Sequence, residues 1–87
     1  MADAVRSNVR PSSAKGSALA ERHRAMISNL YACTPSMHAI LARMYVDDPR
    51  FRKFFDDTEP GLSTWLRDAI FAAARANGID PANASWE

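Results

Sequence analysis

The chain has 87 residues, 47% of them hydrophobic and 24% charged, a balance that supports one small folded domain and excludes disorder along its whole length. A formal net charge of +1 gives no overall attraction for nucleic acid or an anionic membrane surface. The single cysteine, Cys33, excludes an intramolecular disulfide.

Residues 1–17 read as a disordered leader. They carry Ser7, Ser12, Ser13, Ser17, Pro11 and Gly16 with no sustained apolar period. Arg6, Arg10 and Lys15 outweigh Asp3, but three bases are too few to argue for a nucleic-acid arm. The N-terminus has no apolar core of signal-peptide type, and no stretch approaches the roughly 20 apolar residues of a membrane helix. The expected location is therefore the cytoplasm.

A first helix is predicted over Ala18–Tyr31, because Leu19, His23, Met26, Ile27 and Leu30 recur at spacings of three and four. His23 lies on that stripe and reads as a hydrogen-bonded core residue. A metal ligand would need an HxxxH pair, and His38 falls on a different helix. Thr34 and Pro35 signal a second helix, Thr34 as N-cap and Pro35 at the first helical position. It runs to about Val46 with a stripe of Met37, Ile40, Leu41, Met44 and Tyr45. Asp47 or Asp48 ends it and caps a short third helix, in which Phe51, Phe54 and Phe55 form the apolar side.

A fourth helix is expected to start at Thr58, with Pro60 and Gly61 in its first turn and a stripe of Leu62, Trp65, Leu66, Ala69, Ile70 and Ala73. Asn77-Gly78 stops it, with Gly78 as the left-handed cap residue. Residues 81–87 are expected to fray, with Trp86 able to dock. No strand pattern competes. The fold class is all-α, with three main helices over residues 18–80, one short helix and a flexible leader.

Catalytic constellations are thin. Asp47, Asp48, Asp56 and Asp57 sit at helix boundaries, where aspartate is a cap. With three glycines there is no phosphate-binding loop, and Ser, His and Asp lack the context of a triad. Cys33, one residue before the Thr34 cap, reads as a small apolar residue in a tight turn. The helix dipole there can lower a thiol pKa by under one unit. The set Tyr31, Met37, Met44, Tyr45, Phe51, Phe54, Phe55 and Trp65 is larger than so small a domain can bury, so some of it should line a cleft or interface.

Residues 23–77 resemble the TipAS antibiotic-recognition domain, the effector part of drug-responsive regulators of the MerR class. The resemblance is carried by His23-Arg24, the run Leu30–Cys33, Met37-His38, the dense block Met44–Phe51, an aspartate near position 57, Pro60–Leu62 and Leu66–Ile70. It implies a globin-like helical domain with a surface cleft, no cofactor and no catalysis. It implies capture of a bulky hydrophobic small molecule such as a thiopeptide antibiotic. The position of the reactive thiol in founding members corresponds to Ile40, so non-covalent binding is expected. On this reading the DNA-binding domain and the helices preceding the block in longer relatives are missing. That argues against direct nucleic-acid binding, and the alternative is a protein-interaction or oligomerisation module, such as a homodimer, that keeps the fold without the drug site. The cleft is expected on faces of the second and fourth predicted helices, lined by Tyr31, Met37, His38, Leu41, Tyr45 and Trp65.

Overall fold

A computed structural model describes residues 2–30 and 32–84. Tyr31 and Trp86 lie outside the described residues. The chain forms α1 (Ala2–Arg6), α2 (Ala14–Ile27), α3 (Pro35–Asp47), α4 (Pro49–Thr58), α5 (Leu62–Ala76) and a 3-10 turn over Pro81–Asn83. There is no strand among the described residues.

The most extensive packing is between α3 and α5, with α2 laid against α5 as well. The interior is built on small side chains that bring backbones close. Ala20, Ala39, Ala42 and Ala69 are all 0% exposed, beside Leu66, Ile70, Tyr45 and Trp65. The α5 stripe is the predicted one. The α3 stripe is rotated from the predicted one. Its buried face holds Met37, His38, Ala39, Ala42 and Tyr45, while Ile40 and Leu41 are half-buried and Met44 is exposed. Alanines at the closest approach leave no room there for the longer side chains, which are displaced to the flanks.

Several boundaries follow the expected chemistry. The Thr34 side chain accepts from the Met37 N–H at 3.1 Å, and Pro35 opens α3. Asp48 closes α3 and caps α4, accepting the Arg50 N–H at 2.9 Å. At the end of α5, Gly78 N–H bonds the Arg75 carbonyl at 3.0 Å and Ile79 N–H the Ala74 carbonyl at 2.9 Å, a Schellman pair with Gly78 at φ +77°. Pro81, in the stretch expected to fray, is buried.

The start of α5 departs from the expectation. Pro60 and Gly61 are not in its first turn. Gly61 is in the left-handed region at φ +85°, which a right-handed helix cannot include, and Thr58 belongs to the last turn of α4. Gly61 has no side chain to cap with, so Asp56 on α4 does so from a distance. Its carboxylate accepts the Ser63 N–H at 3.0 Å and the Ser63 hydroxyl at 2.8 Å. The Ser63 N–H, the Ser63 hydroxyl and nearby Arg52 together hold the Asp56 carboxyl below its ordinary range.

Residues 2–17, expected as a solvated leader, form α1, a return loop and the first turn of α2. Ala4 is buried, and Val5 and Val9 pack on the core. The Trp65 indole N–H donates to the Val9 carbonyl at 2.8 Å, and Arg6 donates to Glu59 at 2.8 Å. Ser13 is an N-cap, accepting the Gly16 N–H at 3.1 Å, so α2 starts four residues before the predicted Ala18. It also ends before the predicted Tyr31, in turns over Ser28–Leu30. Gly16 is required at its position. A Cβ there would collide with the Pro11 carbonyl oxygen and come within 2.6 Å of that of Arg10.

Two substitutions test this packing. Trp65→Ala removes the largest core side chain and its tie to Val9, and is expected to cost about 3–5 kcal/mol in urea unfolding. Gly16→Ala, read the same way, is expected to lower the midpoint although alanine favours helix, because backbone rather than a side-chain tip is what the new methyl meets. A midpoint raised by Gly16→Ala means that the 10–16 segment does not fold back as described.

Candidate ligand site

Tyr45 is the junction of the site. On one side its ring meets His23 of α2 edge-on, with centroids 5.9 Å apart. On the other it meets Phe51 at 5.6 Å and Phe55 at 4.8 Å, both on α4. Helices α2 and α4 thus reach the same residue of α3 without packing extensively on each other. Tyr45 itself is buried, so the rings meet in a packed aromatic junction between the two helices. On α2, Leu19, Arg22, His23 and Met26 line a depression of about 220 Å³. Their spacing of three, four and seven is one helical stripe. Met26 stands 68% exposed at its rim.

Behind the rim, His23 Nδ1 and His38 Nε2 are 2.9 Å apart, with the rings stacked at 5.1 Å between centroids. A hydrogen bond of this kind needs one N–H and one lone pair, so at most one of the two rings carries a positive charge while it is made. Burial holds His23 below its ordinary pKa. Burial, then the charge His23 would carry, then the Arg24 guanidinium, push His38 down to about 3. Arg24 also sets the loop before α3. It donates to the Cys33 carbonyl at 2.7 Å while Glu21 holds its other nitrogens at 2.8 and 2.9 Å. The thiol of Cys33 is 3% exposed, and burial raises its pKa against an opposing pull from Arg24, the reverse of the slight lowering expected from the helix dipole.

The residues singled out from the sequence are not brought together as one lining. His38 and Tyr45 are buried, each in ring contact with His23. Met37 is buried within α3, Leu41 packs at the edge of the core, and Trp65 lies in the core with its N–H bonded to Val9. Tyr31 lies outside the described residues. The faces of α3 and α5 expected to frame a cleft are largely occupied by packing on each other. A larger depression, about 490 Å³, runs along the outer side of α3 between Ile40, Arg43, Met44, Asp47 and Asp48, but charged groups rim it and no aromatic ring lines it. Sequence reasoning left Leu19, Met26, Phe51 and Phe55 off the site. The signal for Leu19 and Met26 was their shared stripe with His23. Among the described residues no group of three His, Cys, Asp or Glu could hold a metal ion.

The family model of the TipAS antibiotic-recognition domain matches residues 1–73, from α1 through most of α5. The chain belongs to the TipAS family. Two curated relatives, each described as "HTH-type transcriptional activator TipA", come from Streptomyces coelicolor and Streptomyces lividans. Each is 48% identical over 56 residues, 63% of this chain. The chain spans only 22% of the length of these relatives. No solved structure matches the chain significantly. The TipAS match includes α1 and the return loop, in keeping with their packing on α5.

The histidine pair makes stability depend on pH. Both imidazoles have lowered pKa values when folded, so below the unfolded value of about 6.5 the unfolded chain binds more protons. The pair's contribution is present above that pH and is lost as pH falls from about 6.5 toward 3. The urea midpoint is expected to drop between pH 7.5 and 5, with a shallower drop in His38→Gln. Equal slopes in the two proteins would mean that the pair is not held neutral by the fold.

Proposed function

We propose that this TipAS domain is a non-enzymatic binding module for a bulky, hydrophobic antibiotic of thiopeptide type, serving a transcriptional drug response in the cytoplasm. The observation that carries the reading is the depression on α2 between Leu19, Arg22, His23 and Met26, backed by the aromatic junction in which Tyr45 meets His23, Phe51 and Phe55. Flat heteroaromatic rings are suited to stacking and edge contacts with such a surface, and Met26 is an adaptable thioether at the rim. The depression is smaller than the roughly 300–1,000 Å³ of enclosed drug pockets, so in this proposal the ligand lies across it and the Met26 rim instead of entering a pocket. The family description and the name of the TipA activators support the antibiotic and transcriptional parts of the reading. No helix among the described residues is long and apolar enough to cross a membrane.

Binding is non-covalent in this proposal. Thiopeptides carry dehydroalanine groups, to which a thiolate can add, but Cys33 is buried and its thiol is held in the protonated form.

A panel of antibiotics in a thermal-unfolding assay tests the function. At a ligand concentration of 100 Kd the gain is about 2.7 kcal/mol, which a domain of this size shows as a large rise in Tm. Met26→Asp, at an exposed position that the fold tolerates, is expected to weaken binding at least tenfold by titration calorimetry. No thermal response to any thiopeptide would sink the functional reading; unchanged affinity in Met26→Asp would move the site elsewhere. Intact-protein mass spectrometry after incubation with a dehydroalanine-bearing thiopeptide is expected to show no adduct, and Cys33→Ser to bind as the native chain does. An adduct lost in Cys33→Ser would establish covalent capture.

A further inference from the structure

Helix α4 is the least covered element of the domain, with no buried residue. Its outward side is apolar nonetheless: Phe54 is 68% exposed and Phe51 37%. Phe54 packs edge-on against Phe55 at 5.2 Å, while Phe55 turns inward to Tyr45. The charges of the helix are segregated along its length. Arg50, Arg52 and Lys53 occupy the first half, and Asp56 and Asp57 the second. With about 100° of rotation per residue, Phe51, Phe54, Phe55 and Thr58 share one face. Arg50 and Asp57 then lie along one edge of that face, while Arg52 and Asp56 fall on the far side from Phe54, where Asp56 holds Ser63 of α5.

This arrangement is complementary to itself when reversed. We propose that α4 is the contact helix of a two-fold dimer, in which a second copy of the chain lays its own α4 antiparallel across the first. With the axis near Phe54, Arg50 of each copy faces Asp57 of the other along one edge. The two Phe54 rings stack at the centre, and each contact occurs twice, as two-fold symmetry requires. A parallel arrangement would set bases against bases and acids against acids.

Arg50 is paired with Asp48 and Asp57 with Lys53 within the chain, but these side chains other than Asp48 are largely exposed and can exchange partners. The Lys53–Asp57 pair at 2.6 Å has both side chains mostly exposed, 75% and 64%, and such pairs are worth little. The Arg50 side chain is 89% exposed, and the cap that opens α4 rests on its backbone N–H, which any residue but proline supplies. A ten-residue helix offers less surface than a standard interface of about 1,600 Å², so the expected affinity is weak, on the order of 100 µM. The partner is thus another copy of this chain, and the inference stands independently of the antibiotic reading.

Sedimentation equilibrium of the full chain from about 10 µM to 1 mM tests this, together with a charge-reversal pair. The native chain is expected to dimerise, and Phe54→Ser to weaken the dimer at least tenfold. Arg50→Glu and Asp57→Lys are each expected to sediment as monomers, because every edge contact on that side becomes repulsive. An equimolar mixture of the two is expected to form a heterodimer, since Glu at position 50 then faces Lys at position 57. Circular dichroism of each variant checks that it is folded. A native chain that stays monomeric to 1 mM overturns the proposal and leaves Phe54 to some other partner. So does a dimer indifferent to Phe54→Ser, or a mixture of folded variants that fails to associate.

Discussion

The close approach of α3 to α5 is the constraint on which the remaining elements depend. Ala39, Ala42 and Ala69 are fully buried where these helices meet, and alanine contributes little hydrophobic free energy per residue. What it contributes is proximity. Once the two backbones are close, the larger side chains are forced to the ends and flanks of the contact, where other elements cover them. Leu62 and Trp65 are met by the N-terminal segment, with Val9 accepting the indole N–H. Tyr45, on the opposite flank, is met by α2 and α4. The same small residues that make the pair tight thereby create both the seat for α1 and the aromatic junction.

That junction combines rigidity behind with exposure in front. Burial favours the neutral form of the imidazole pair behind it, and the adjacent Arg24 makes protonation of His38 still more costly. Arg24 at the same time fixes the turn that delivers His38 into the pair, by holding the Cys33 carbonyl. In front stand groups with few obligations to the fold: Met26 at the rim and Phe51 beside Tyr45. The proposed binding surface would use this division, since a preorganised base costs less to bind on while an exposed rim adjusts to the ligand.

Helix class, most boundaries and the α5 stripe were legible because they are local. Thr34-Pro35, Asp48-Pro49 and Asn77-Gly78 act on the backbone within a few residues of themselves, and the structure places each at a helix boundary. The errors share one cause. Ser13 and Gly16 read as linker residues because what makes them helical lies elsewhere: Gly16 fits because the Arg10–Pro11 backbone returns onto α2. Thr58 read as the cap of α5 because it is a good cap in isolation. Asp56, seven residues before Ser63, took that role because the left-handed turn at Gly61 folds α5 back toward α4.

The sequence by itself determined that this protein is helical, where most of its helices stop, and, through short motifs, its kinship with an antibiotic-recognition domain. These follow from dihedral preferences, capping groups and residue order, which need no knowledge of what lies across the interior. Only the tertiary structure decided which face of α3 is buried, that His23 and His38 share one proton, that Trp65 belongs to the core, and that Phe51 and Phe55 stand opposite His23 across Tyr45. Each of those joins residues on different helices, or a helix and a distant loop. Pairings of that kind depend on how closely the backbones can approach, and here that distance was set by alanines, whose own hydrophobic signal in the sequence is weak.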